Sequence, residues 1–150
     1  MRQAARAIII KDDRLLVMHR NKFGEHYDTL PGGNIERGES PEQALAREIS
    51  EETTLTFTNP KLVIIEHAGE PYGDQYIYLC DYRSGEPKLH QNSEENQLNQ
   101  LGQNLHQPGW MWLDDLPNAN FVSPNLKQTI LNAHQNGWPI KPIELTTSRV

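Results

Sequence analysis

The chain has 150 residues, one ordinary domain's length, with 36% hydrophobic and 23% charged residues, enough apolar content for a single core spanning 1–150. Fourteen Lys+Arg against 20 Asp+Glu leave a net charge of -6, so no general basic surface exists to release counterions from a nucleic-acid backbone. DNA and RNA polymers are therefore not expected partners, and an anionic small molecule would need a cation to mediate its binding. Cys80 is the single cysteine, which excludes an intrachain disulfide and a multi-cysteine zinc site and suits a reducing compartment. The longest apolar runs, such as Ala7 to Ile10 and Leu62 to Ile65, fall far short of the ~18 residues of a membrane span, so a cytoplasmic protein is expected.

Arg6 to Ile10 and Leu15 to Met18 are strand-like runs around the polar break Lys11-Asp12-Asp13-Arg14, a hairpin pattern. Leu30-Pro31-Gly32-Gly33 then opens a loop where bare backbone can turn tightly or approach a ligand. Ser40-Pro41-Glu42-Gln43 combines an N-cap serine, a proline at the first helical position and a capping-box glutamine, so a helix starts at Pro41. Ala44, Leu45 and Ile49 give it an apolar stripe to about Glu52.

Further strands are predicted at Thr53–Phe57, Leu62–Ile65, Gln75–Cys80 and Trp110–Leu113. The stretch from Ser84 to Pro108, rich in Asn, Gln, His and Glu, reads as a long surface loop, and Ser123-Pro124 starts a second helix ending near Gly137. The tail from Trp138 shows no strong period. The order β-β-loop-α-β-β-β-loop-β-α indicates an α/β fold with helices against a mixed sheet.

Chemistry concentrates between Glu36 and Glu52, where Glu36, Glu39, Glu42, Glu48, Glu51 and Glu52 are offset only by Arg37 and Arg47. Glu48, Glu51 and Glu52 stand at i, i+3 and i+4, which places their carboxylates on neighbouring positions of one helical face. A divalent cation would relieve their repulsion, and hard oxygen donors select Mg²⁺, Mn²⁺ or Ca²⁺. Mg²⁺ usually takes one or two carboxylates together with substrate phosphate, so phosphate chemistry follows. The bland alternative is a solvated acidic face with an Arg47–Glu51 pair worth about 0.3–0.5 kcal/mol. Solubility alone, however, does not require three carboxylates within one turn after a Pro-Gly-Gly loop.

With those residues in place, the chain closely resembles the Nudix hydrolases. Their signature, G-x5-E-x7-R-E-U-x-E-E-x-G-U with U bulky and aliphatic, is matched in register by Gly33, Glu39, Arg47, Glu48, Ile49, Glu51, Glu52 and Leu55. The departure is Thr54 in place of the usual glycine. Because a β-branched residue at positive φ costs about 1–3 kcal/mol, a different exit from the helix is expected there. Leu30-Pro31-Gly32-Gly33 and the later Trp110, Leu113 and Leu116 resemble the family more weakly.

The resemblance implies a Nudix fold, a mixed β-sheet sandwiched between helices with a loop-helix-loop catalytic motif. It implies Glu51 and Glu52 as principal Mg²⁺ ligands, with Mn²⁺ as a substitute, and Glu48 as a ligand or the base for attacking water. Arg47 would orient Glu48, Glu39 would support the cluster, and the Gly32 carbonyl would coordinate the metal from the loop. The implied activity is Mg²⁺-dependent hydrolysis of a diphosphate linkage in a nucleoside diphosphate joined to another moiety, with a MutT-like nucleoside triphosphate pyrophosphohydrolase leading. Nucleotide sugars and dinucleoside polyphosphates follow as substrates, and a non-catalytic nucleotide sensor is the competing class, one that loss of box carboxylates would favour.

Many family members add a carboxylate from a later loop; Glu94 and Glu95 are candidates, with Glu66 and Glu70 as alternatives. Arg20, at the end of the second strand, is a candidate for contacting a substrate phosphate. Trp110 and Trp112 share a strand face and are expected in the core, as are Tyr27, Tyr72 and Tyr76, with Cys80 a buried packing residue.

Overall fold

The computed structural model describes residues 2–147. Its strands are β1 (Gln3–Lys11), β2 (Arg14–Lys22), β3 (Glu25–Thr29), β4 (Gly32–Asn34), β5 (Thr56–His67), β6 (Asp74–Ser84), β7 (Asn104–Trp112) and β8 (Ile143–Thr146). Three α-helices, α1 (Pro41–Thr53), α2 (Glu94–Gln100) and α3 (Pro124–Asn136), and a 3-10 helix at Leu113–Asn118 complete it.

The β1–β2 hairpin forms as predicted, with Asp12 and Asp13 both at positive φ, +50° and +61°, the signature of a two-residue turn whose twist matches the strands. Strand β1 anchors the mixed sheet. It lies between antiparallel β4 and parallel β6, and its last residues pair with β2. From β6 the sheet continues to antiparallel β5 and parallel β8. Strand β2 is flanked by β3 and β7, antiparallel to both.

Alternation along β1 sends successive side chains to opposite faces. Ile8 joins Leu15, Val17, Ile64 and Ile77 in a cluster closed by Leu116, Leu126 and Ile130 of the 3-10 helix and α3. Ala5, Ala7 and Ile9 face the other way, with Leu16 and Cys80, onto Ala44, Leu45 and Ile49 of α1. The sheet is thus sandwiched between helices, and the alanines of β1 let α1 sit close to it. The capping box at α1 is complete, Ser40 Oγ accepting from Gln43 N at 3.1 Å and Gln43 Oε1 from Ser40 N at 2.9 Å.

Several expectations are corrected. The strands at Thr53–Phe57 and Leu62–Ile65 are one strand, β5, whose pairing with β6 shifts register around Asn59, itself at φ +52°. The irregular polar stretch conceals α2 and the first half of β7; α2 buries none of its residues, so it carries no apolar period to read. The tail supplies β8, four residues at the sheet edge beyond two prolines. Thr54 takes the left-handed conformation, φ +59°, after all, and its hydroxyl donates to the Glu86 carbonyl at 2.9 Å. Among the described residues, no helix is long and apolar enough to cross a membrane.

Candidate active site

The β4 loop and α1 meet through two glycines that have no space for a side chain. A Cβ on Gly32 would lie 2.2 Å from the Ala5 carbonyl oxygen, and one on Gly33 would lie 2.5 Å from Glu48 Cδ. This contact seats the loop directly on the acidic helix. Gly32 N donates to Glu52 Oε2 at 2.9 Å, so it is the glycine's amide that is seen to engage the site.

Glu48 and Glu52, one turn apart and both buried, point to the same place, and Glu95 of α2 joins them. Ligand oxygens of the three lie within 4.8 Å of one another. Burial pushes the Glu48 carboxyl up to about 6 despite the opposing effect of Arg47. Burial likewise raises Glu52 well above the usual carboxylate range, with the Gly32 amide opposing. Glu95 Oε2 is buried without a hydrogen-bond partner. Three hard oxygen donors, crowded and undercompensated, fit a divalent cation such as Mg²⁺.

Arg47 organises the outer side. Its Nε and Nη2 donate to both oxygens of Glu39, at 2.8 and 2.9 Å, while Nη1 reaches Glu48 Oε1 at 2.9 Å and Nη2 also reaches the Asn34 carbonyl at 3.1 Å. The guanidinium, with the Glu36 amide, holds the Glu39 carboxyl down at about 2. Glu39 therefore contacts the site through Arg47 and stands outside the carboxylate trio. Glu51 also lies outside it, half-exposed, with Oε2 3.6 Å from Arg47 Nη1.

Of the loop candidates, Glu95 enters the trio while Glu94 is exposed. Glu66 is fully buried and accepts from Ser123 Oγ at 2.6 Å under α3, and Glu70 is exposed in the β5–β6 turn. Arg20 donates from Nε to the Leu105 carbonyl at 3.3 Å and from Nη2 to Asn104, and lies over the Tyr27 ring at 5.5 Å. It lines a hollow of about 350 Å³ with Arg6, Lys22, Tyr27, Tyr72 and Asn120. Tyr72 is exposed at this hollow, contrary to the core expectation.

Arg6 links the hollow to the site. It is paired with Gly32 across β1 and β4 and donates to the Leu30 carbonyl at 2.9 Å. Sequence reasoning passed over Arg6 and Asn120. The signal for Arg6 was a lone cation in an apolar strand. Trp110 packs edge-on against Tyr82 at 5.9 Å, but Trp112 is 56% exposed, since it sits at the end of β7 where the sheet gives way to the 3-10 helix. Cys80 is buried, its thiol pushed up to about 12.

Comparison with known proteins agrees with this geometry. The NAD-capped RNA hydrolase NudC of Edwardsiella ictaluri is 34% identical over 87 residues, 56% of this chain and 34% of that protein. The chain spans between a third and about two fifths of the length of the curated relatives it matches, 34% to 42%. A MutT Nudix hydrolase from Burkholderia pseudomallei superposes with a TM-score of 0.67 at 25% identity, covering 85% of this chain and 95% of that one. A Nudix hydrolase from Nitrosomonas europaea, at 13% identity, shares the fold with a TM-score of 0.74 over 99% of this chain and 79% of its own. The family model of the NUDIX domain matches residues 1–130, so the chain belongs to the Nudix hydrolase family.

Proposed function

We propose that this chain hydrolyses the diphosphate linkage of a nucleoside diphosphate joined to another moiety, with Mg²⁺ as cofactor, and that its preferred substrates are nucleoside triphosphates in the cytoplasm. The observation that carries the reading is the convergence of Glu48, Glu52 and Glu95 on one point beside the Gly32–Gly33 loop.

Glu48, Glu52 and Glu95 would hold the ion, with Glu51 available as a further donor from the adjacent helical position. Bound there, Mg²⁺ supplies neutralisation of diphosphate charge and a lowered pKa for coordinated water. The remaining work falls to the chain itself. Glu48, whose Oε1 is held by Arg47 beside the other two carboxylates, is placed to hold the ion with one oxygen or to take a proton from the water that attacks phosphorus. Arg47 keeps that carboxylate in place, and Glu39 holds the Arg47 fork by a two-point ion pair. Arg20, Lys22 and Arg6 give the neighbouring hollow the positive charge that a nucleotide phosphate needs, and Tyr27 and Tyr72 offer rings against a base.

All box carboxylates are retained, which favours catalysis over a nucleotide sensor. The NudC relatives act on NAD-capped RNA, which supports hydrolysis of a diphosphate linkage as the shared reaction and puts NAD on the substrate panel. The test is release of phosphate or pyrophosphate from a panel of nucleoside triphosphates, nucleotide sugars, dinucleoside polyphosphates and NAD, with and without Mg²⁺, compared by kcat/KM. Turnover led by a nucleoside triphosphate supports the reading; turnover led by a sugar nucleotide or NAD moves the substrate assignment, and none with any compound overturns it.

A further inference from the structure

Glu95 reaches the carboxylate trio from a short helix none of whose residues is fully buried. Helix α2 is seven residues long and buries none of them, and helices of this length do not persist on their own in water. Its N-terminus is fixed by Ser93, whose side chain accepts from Asn96 N at 3.1 Å and whose amide donates to the His90 carbonyl at 3.0 Å. Asn96 Nδ2 also donates to the Gln91 carbonyl at 3.0 Å and Leu98 is half-buried, and the side-chain tie from α2 to β7 is made by Asn99. Asn99 Nδ2 donates to the His106 carbonyl at 2.7 Å, and Asn99 Oδ1 accepts from the His106 amide at 2.6 Å.

One side-chain amide thereby satisfies both backbone groups of one β7 residue, bolting α2 to the sheet as an additional strand would. Glu95 and Asn99 stand at i and i+4, on one face of the helix. The receiving strand is fixed in turn from β2, because His106 is paired with Arg20 and the Arg20 side chain donates to Leu105 and Asn104, the two residues that precede His106 in β7.

We infer that Asn99 is a positioning residue for the metal centre, clamping α2 to His106 of β7 so that the Glu95 carboxylate is held where it completes the Glu48–Glu52 site. The inference rests on the proposed reading of the trio as a metal site. A partner one shell removed from a metal typically sets affinity by about 10–100-fold through the ligand it orients. Asn99 acts on a whole helical turn, so its loss should appear in metal affinity rather than in the fold.

The test is a double-mutant cycle read by Mn²⁺ binding, using calorimetry or the loss of the free-ion electron paramagnetic signal, on wild type, Asn99→Ala, Glu95→Gln and the double variant. Asn99→Ala is expected to weaken Mn²⁺ binding by about tenfold with an unchanged circular dichroism spectrum. In the Glu95→Gln background the same change should add less than about twofold, because the ligand it positions is already gone. Asn99→Leu, which keeps the side chain's shape and removes both hydrogen bonds, replaces Asn99→Ala if the latter does not fold.

Equal weakening in both backgrounds, or none in either, overturns the inference while the metal site stands. Unchanged binding in Glu95→Gln overturns both the inference and the placing of Glu95 among the ligands. No Mn²⁺ binding by wild type overturns the metal reading itself.

Discussion

Gly33 and Glu48 touch so closely that a Cβ on the glycine would lie 2.5 Å from the glutamate's carboxyl carbon. The Pro-Gly-Gly loop is therefore a template for a carboxylate, and a methyl group added to it must displace either the loop or Glu48. Gly33→Ala is expected to lower kcat by at least tenfold, with a stability loss of about 1–3 kcal/mol, the usual cost of overpacking. Steady-state kinetics and urea denaturation on the same sample separate the two effects.

Arg47 engages Glu39 through two parallel hydrogen bonds, which lysine cannot reproduce. Arg47→Lys should lower kcat with KM little changed, and Arg47→Ala should lower it further by freeing both Glu39 and Glu48. Equal kcat for wild type and Arg47→Ala would remove the guanidinium from the working site.

How much of this was legible in sequence follows from what each element depends on. The α1 cap at Ser40 and Gln43, the box register and the Gly32–Gly33 loop are local, so composition and spacing determine them. Helix α2 carries a single apolar residue, Leu98, and is tied to β7 by Asn99, and β8 depends on pairing with β5, so neither leaves a periodic trace. The same limit applied to the carboxylates. Spacing alone gave Glu48, Glu51 and Glu52 equal standing, whereas the direction of α1's packing turned Glu48 and Glu52 inward and left Glu51 half-exposed. Glu95 stood in sequence as one of four loop candidates with Glu94, Glu66 and Glu70, because the carboxylate that enters the trio is decided by how α2 sits against β7.

Thr54 occupies the left-handed position that favours glycine, with one hydroxyl hydrogen bond in compensation. Thr54→Gly removes roughly 1–3 kcal/mol of backbone strain and loses a bond worth about 0.5–1.5 kcal/mol. Glycine also adds entropy to the unfolded chain, so the changes nearly cancel. The midpoint of thermal unfolding should shift by only a few degrees and kcat should stay unchanged; a collapse in kcat would place the threonine in the site.

The buried carboxyl of Glu48 makes stability depend on pH in a direction that metal reverses. Its proton is held to about 6 in the folded chain against an ordinary value of 4.5, so the native state binds more protons across that window. Its contribution to stability accordingly falls as pH rises from about 4.5 through 6. Mg²⁺ competes with that proton and should stabilise the protein more at pH 7.5 than at pH 5. Urea midpoints of wild type and Glu48→Gln, with and without Mg²⁺ at both pH values, isolate the effect. A Glu48→Gln protein with the same pH slope as wild type would assign the slope to other groups.

The most direct test of the central claim is hydrolysis by chelator-stripped enzyme as Mg²⁺ is returned, for wild type and Glu52→Gln side by side with a nucleoside triphosphate substrate. Wild type is predicted to be inactive when stripped and to recover fully with Mg²⁺, while Glu52→Gln, folded to the same extent, recovers less by orders of magnitude. Full activity without a divalent ion, or a Glu52→Gln enzyme with wild-type kcat at the same Mg²⁺ concentration, would contradict the assignment of the Glu48–Glu52–Glu95 site.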